Sequence, residues 1–265
     1  MGKLAALMEI AFRERLSMAD NWDFFLCRVD DKPASILVNL GLADEAPIQR
    51  LPYMAYVQVR MKAPDPNGLS SQEESATMAS IEDSLAGNLS DEGTAMYVGR
   101  NTSDGRRDFY FYIAQPTGWD DRVDRAMQSF QAYDFASGVC NEPNWQTYFE
   151  FLYPSEIDRL CIENRRVCQT LEQNGDALTE EREIDHYAQF PDAASRSGFI
   201  DKALELGFAV HSAADPKTPD GGFGIHLVRA DIPGYANIDA VTVPLFGLAK
   251  EFGGSYDGWG CPLVR

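Results

Sequence analysis

Glu251-Phe252-Gly253-Gly254-Ser255-Tyr256-Asp257-Gly258-Trp259-Gly260-Cys261 combines a helix stop, a glycine-rich path, one acid and two large aromatics three residues apart. Glycine tolerates positive φ and close backbone approach, so its density here specifies an unusual path. Tyr256 and Trp259 each bring large apolar area and one polar atom that needs a partner. Two readings are open. The stretch is a closing edge strand whose aromatics finish a core, or it is a rigid aromatic surface for a partner.

Working outward, the stretch ends an ordered series of elements. Arg182–Phe190 reads as a strand. Pro191-Asp192 caps a helix with Phe199, Ala203 and Leu206 inward and Gly207 as its stop. Phe208–Ser212 is a strand, Ala213–Gly222 a polar loop and Phe223–Ala230 a strand. Asn237–Phe252 places Val241, Leu245, Leu248 and Phe252 at helical spacing. Pro244 sits inside it, where a proline removes a backbone hydrogen bond, so a kink or a later start near Val243 is expected. The order is βαββαβ. Before it, Pro154-Ser155-Glu156 opens a helix with Ser155 and Asp158 as its cap, ending at Asn174-Gly175.

The earlier half repeats the pattern. A leading helical segment precedes strands at Trp22–Val29 and Ser35–Leu40, with Asp30–Pro33 as the turn. Tyr53–Met61 alternates with period two. Ser70 with Glu73, or Ser71 with Glu74, makes a capping box ahead of Met78, Ile81 and Leu85. Strands follow at Thr94–Gly99 and Asp108–Ala114, joined by Thr102-Ser103-Asp104-Gly105, which has hairpin turn chemistry. Trp119–Tyr133 reads as helix; Phe135 onward and Trp145–Tyr153 read as strand. The expectation is an α+β protein of two tandem ferredoxin-like (split β-α-β) plaits, each an antiparallel sheet with helices on one face. The domains are 1–153 and 154–265.

Of the 265 residues 45% are hydrophobic, which supports a packed core, and the net charge is −18. Lysines and arginines number 13 against 23 acids up to Tyr153, and 10 against 18 after it, so both halves are acidic. Polyanion binding needs clustered cations, and the adjacent basic pairs are only Arg106-Arg107 and Arg165-Arg166. Nucleic acids and anionic membranes are therefore poor partners, and a basic protein is a good one. Five cysteines without a CxxC pair fit reduced thiols in a cytoplasm, and no apolar run reaches membrane-spanning length. The N-terminal run is broken by Glu9, Arg13, Glu14 and Arg15, unlike a signal peptide.

Catalytic motifs are scarce. Gly253–Gly258 misses the nucleophile elbow by one residue, and neither a Walker loop nor a dinucleotide fingerprint appears, so no cofactor is implied. His186, His211 and His226 fall on three strands of one sheet. Parity turns His186 toward the core and the other two away, which splits a metal set. Cys161 and Cys168 share a helix face and read as core packing; the adjacent acids Glu82-Asp83 and Asp120-Asp121 read as solvated helix surface. A second reading places a pocket for an anionic ligand, or an enzyme site, near Arg100, Arg107 and Tyr110.

Arg182–Tyr187, Ala203–Val210, Asn237–Ala240, Leu248–Phe252 and above all Tyr256-Asp257-Gly258-Trp259-Gly260 resemble the regulator of ribonuclease E activity B family. The resemblance covers about 155–265. It implies a ferredoxin-like plait and a cytoplasmic, non-catalytic inhibitor that binds ribonuclease E and alters the RNA-degrading assembly. On that motif and the acidic charge, Tyr256, Asp257 and Trp259 are the candidate partner-binding residues, with His186 as a structural candidate beside them. Residues 20–153 resemble a bacterial domain of unknown function through Asn21-Trp22-Asp23, Ile81-Glu82-Asp83, Val98-Gly99-Arg100, Arg107–Tyr112 and Glu142-Pro143-Asn144-Trp145.

Overall fold

The computed structural model describes residues 21–91, 93–215 and 221–265. The leading helical segment expected before Trp22 lies outside them, as does the middle of the 213–222 loop. The chain divides into two compact units, one ending at Asp158 and one running Arg159–Arg265.

In the first unit β1 (Trp22–Val29), β2 (Lys32–Asn39), β3 (Tyr53–Arg60), β4 (Ala95–Ser103), β5 (Arg106–Ile113) and β6 (Phe135–Asn141) make one sheet. Its order is β1-β2-β4-β5-β3-β6 with all neighbours antiparallel. Helices α1 (Gln72–Leu89) and α2 (Trp119–Met127) close one face: Met78, Ile81 and Leu85 meet Val57, Phe109, Phe111 and Val123 in a fully buried core. Ser71 is the cap of α1, its Oγ accepting from Glu74 N at 3.2 Å. Glu74 does not return the bond to Ser71. Its buried carboxylate accepts Lys62 N and Ala63 N at 2.7 and 2.8 Å, which ties the helix start to the end of β3 and lowers the carboxyl's pKa.

The other face carries a correction. Trp145–Tyr153 is not a strand; Thr147–Leu152 winds into a π-helical turn. Trp145, Tyr148 and Leu152 are the fully buried residues, and their spacing of three and four is helical. Trp145 stacks on Tyr112 at 3.9 Å and donates Nε1–H to Leu51 O at 3.0 Å, while Tyr148 Oη donates to Asn39 O at 2.8 Å. Buried partners for both polar tips outweigh the strand propensity of the aromatics. This sheet is therefore covered on both sides, not only by helices on one face.

Helix α3 (Glu156–Gln173) opens with a reciprocal cap: Asp158 N donates to Ser155 Oγ at 3.2 Å and Ser155 N to Asp158 Oδ2 at 3.1 Å. In the second unit β7 (Arg182–Phe190), β8 (Ala209–Ala214), β9 (Phe223–Asp231) and β10 (Ser255–Gly260) form an antiparallel sheet of order β10-β7-β9-β8. Helices α4 (Ala193–Glu205) and α5 (Tyr235–Glu251) pack on it through Phe199, Ala203, Leu245 and Ala249. α5 starts at Tyr235, not near Val243, and runs through Pro244. Ile238 and Val241 before the proline and Leu245 and Ala249 after it are all buried. Burying such side chains at ~1.5–3 kcal/mol each for the larger ones offsets the ~3 kcal/mol of an interior proline. Among the described residues no helix is long and apolar enough to cross a membrane.

Candidate functional site

The glycines after α5 direct the chain into β10. At Gly254 a Cβ would lie 2.4 Å from the Phe190 ring and 2.6 Å from Gln189 O, so no larger residue fits without displacing β7. Gly258 has φ +114° at a bulge between Tyr256 and Gly258. That extra residue breaks the period of two. As a result Tyr256 and Trp259, three apart, both face inward, whereas Gly258 and Gly260 lie opposite Tyr187 and Asp185 on the outer face.

The polar tips of both aromatics are held inside. Tyr256 Oη is 2.8 Å from His186 Nδ1. Trp259 Nε1–H donates to Asn164 Oδ1 at 2.8 Å, and Asn164 Nδ2 donates to Asp239 Oδ1 and Thr242 Oγ1, both at 2.7 Å. Asn164 thus joins α3, α5 and β10 through one buried amide. Burial raises the Tyr256 hydroxyl far above its ordinary range. It also pushes His186 down to about 4, with the Arg229 charge adding to the effect, so the imidazole is neutral at pH 7. Asp257 alone of the candidate residues is exposed, accepting from Ser255 Oγ at 3.0 Å. The chain end is tied to the same layer. Asp176 and Arg182, both buried, form a bidentate pair; Asp176 also accepts Val264 N at 3.0 Å, and Arg182 donates to Pro262 O at 2.9 Å. The Arg182 guanidinium holds the Asp176 carboxyl below the usual carboxylate range.

In the first unit the structure brings Arg100 and Arg107 together and separates Tyr110 from them. Arg100 and Arg107 point to the α1 face of the sheet, where Arg100 Nε lies 2.7 Å and Arg107 Nη1 3.5 Å from Glu82 Oε2. Tyr97 Oη donates to Glu82 Oε1 at 2.9 Å, and Arg107 also donates to Thr102 and Ser70 hydroxyls, each at 3.0 Å. Glu82 is thus no solvated surface acid. It lies beside the Ile81–Leu85 stripe, on the flank of α1 that meets the sheet, and neutralises two arginines. Burial lowers Arg107 to about 10, still charged at neutral pH. Tyr110, at opposite parity to Arg107 on β5, packs against Phe151 at 5.8 Å. The three do not converge.

The outer face of the second sheet holds what the motif reading passed over. Tyr187 is 44% exposed and stacks on His226 at 4.6 Å, and the His211 ring lies 4.3 Å from His226 on the other side. His226 Nε2 is 2.6 Å from Asp185 Oδ1. Tyr187 was legible as an outward aromatic, since it alternates with Ile184, His186 and Ala188, and it closes the Arg182–Tyr187 stretch of the resemblance, but no role was read for it. Among the described residues no group of three or more His, Cys, Asp or Glu is placed to hold a metal ion. Cys168, buried beside Ile184 and Ile238, donates to Pro233 O at 3.2 Å as core packing.

No curated protein matches the chain. Among solved structures, a protein assigned as a glycine cleavage system transcriptional repressor aligns at 12% identity with TM-score 0.25, covering 79% of this chain and 98% of its own. A protein of unknown function from Galdieria sulphuraria aligns at 9% with TM-score 0.22, covering 80% and 98%. The model of regulator of ribonuclease activity B, a regulatory and non-catalytic family, matches residues 161–261. The model of a family of unknown function, DUF695, matches residues 20–153, just over half of the sequence. The chain belongs to the DUF695 family, and behind that domain it carries a regulator of ribonuclease activity B domain.

Proposed function

We propose that the protein is a cytoplasmic, non-catalytic regulator that binds ribonuclease E and so modulates the RNA-degrading assembly. The match of residues 161–261 to the regulator family carries this reading. The neutral, buried His186 and the internally bonded Tyr256 and Trp259 are consistent with it, because their polar groups are engaged in holding β10 to the fold. The fold reading that accompanies it is a split β-α-β plait in each unit, supported by the antiparallel strand orders β6-β3-β5-β4 and β10-β7-β9-β8. Within this reading Tyr256, Trp259 and His186 act through the fold of β10, and Asp257 is the member that meets the partner. The acidic balance suits a basic partner segment.

The test is to titrate the full chain into purified ribonuclease E cleaving a single-stranded RNA, with size-exclusion chromatography of the mixture. Slower or redistributed cleavage and co-elution are expected, with no cleavage by the chain alone. An unchanged cleavage pattern without co-elution would sink the proposal.

A further inference from the structure

Tyr187 stacks on His226 on the outer face of the second sheet, and the His211 ring lies tilted against His226. Beside Tyr187, β10 presents Gly258 and Gly260, at both of which an added Cβ would meet nothing within 4 Å. A cleft of about 520 Å³ is lined by Tyr187, His226, Ser212 and Asp257 among others. Its other acid, Asp215, is already paired with Arg196 at 2.8 Å. The outward positions of the four strands carry Glu183, Asp185 and Asp257. The two cations of these strands, Arg182 and Arg229, point inward, Arg182 onto Asp176 and Arg229 over the Phe208 ring at 4.4 Å.

An aromatic platform by itself would suit a nucleobase or a cation. The charge decides: carboxylates on the same face repel a phosphate backbone and attract a guanidinium. Arginine also matches the shape, since its planar head stacks on a ring while its N–H groups donate sideways to carboxylates.

Resting on the partner-binding reading above, we propose that this face docks an arginine side chain from a basic segment of the partner protein. The guanidinium stacks on the Tyr187–His226 pair and donates to Asp257, while Asp185, held by His226 Nε2 at 2.6 Å, adds negative charge to the same face. The motif's role follows: Tyr256 and Trp259 fasten β10 from inside so that its glycines leave the platform uncovered.

The experiment titrates the full chain, by NMR and calorimetry, with a short peptide alternating arginine and glycine, its lysine counterpart, and a single-stranded RNA oligonucleotide. Tyr187→Ala and Asp257→Asn are measured beside the parent, with melting curves to show that both fold. Preferential binding of the arginine peptide, weakened about tenfold in Tyr187→Ala and several-fold in Asp257→Asn, is the expected result. No binding to the parent, equal binding to Tyr187→Ala, or a preference for RNA would overturn it. The same variants are then tested against intact ribonuclease E. If the enzyme binds Tyr187→Ala as well as it binds the parent, the docking face is wrong and the regulatory reading stands. If the arginine peptide behaves as expected and the enzyme does not bind at all, the face stands and its partner is another basic protein.

Discussion

Four strands of the first sheet, β6-β3-β5-β4, follow the same order along the chain as the four of the second, β10-β7-β9-β8, and the two sheets differ in what lies on their outer faces. In the first, Tyr112 is sealed beneath Trp145 and both are fully buried. In the second, Tyr187 sits on the strand beside β9, stacks on His226 and stays nearly half exposed. One scaffold uses its outer aromatics as a second core, and the other leaves them to solvent. An exposed ring such as Tyr187 is open to a partner, whereas the covered pair Tyr112–Trp145 serves stability. On the proposed reading, the first unit's covered aromatics do structural work and the second unit's outer face makes the contact.

The strongest test of the covered face is Trp145→Ala. It removes the ring stacked on Tyr112 and the Nε1–H bond to Leu51 O. The expected loss is roughly 3–5 kcal/mol in urea unfolding, as for other large-to-small changes in a core. A loss under ~1 kcal/mol would mean that this turn only rests on the sheet, and the contrast between the faces would fail.

The inner layer of the second sheet gives the next largest effect, through pH. His186 is held at about 4 by burial, against an ordinary value near 6.5. Between those values the unfolded chain binds a proton that the folded chain refuses, so stability is full above about pH 6.5 and falls as the pH drops toward 4. The shift corresponds to about 3 kcal/mol across that window. An NMR titration of the His186 ring should give a midpoint near 4, and His186→Gln should flatten this part of the stability profile. A midpoint near 6.5 would place the ring in water.

Asn164→Ala comes third. It leaves Trp259 Nε1 and Asp239 and Thr242 without their shared amide, at about 2 kcal/mol for buried groups deprived of a partner. Red-shifted tryptophan emission should accompany the loss as β10 loosens. Unchanged emission and stability would show that the bulge alone holds Trp259 inward.

Much of this order was legible in the sequence because local rules agreed with the fold. Period-two alternation marked Tyr53–Arg60 and Arg182–Phe190, and the Ser155–Asp158 cap marked the start of α3. The same parity argument turned His186 inward and His211 and His226 outward. At β10 the closing-strand reading agrees with the inward rings, but alternation could not place them, because one bulged residue puts Tyr256 and Trp259 on the same side. Alternation failed at Trp145–Tyr153 because aromatics satisfy strand propensity while their spacing of three and four satisfied a buried turn. Glu82 and Asn164 were missed for a different reason. Each is a polar residue on a helix, and its partners lie on elements distant in sequence, so only tertiary contact distinguishes it from surface.

The smallest expected effect on stability is the one that most sharpens the contrast. Tyr187→Ala removes a ring comparable to Tyr112 from the equivalent outer face. Because Tyr187 is 44% exposed, the change should cost only about 0.5–1 kcal/mol, the order of one cross-strand pair, in the same urea assay. Tyr112→Ala, whose ring is fully buried, should cost several-fold more. The pair of measurements separates a stack kept for packing from a stack kept for contact. If Tyr187→Ala proved as costly as Tyr112→Ala, the Tyr187–His226 stack would be a load carried by the sheet itself, and its exposure would be a by-product of β10's glycines. A small cost leaves binding as the property that the exposed ring serves.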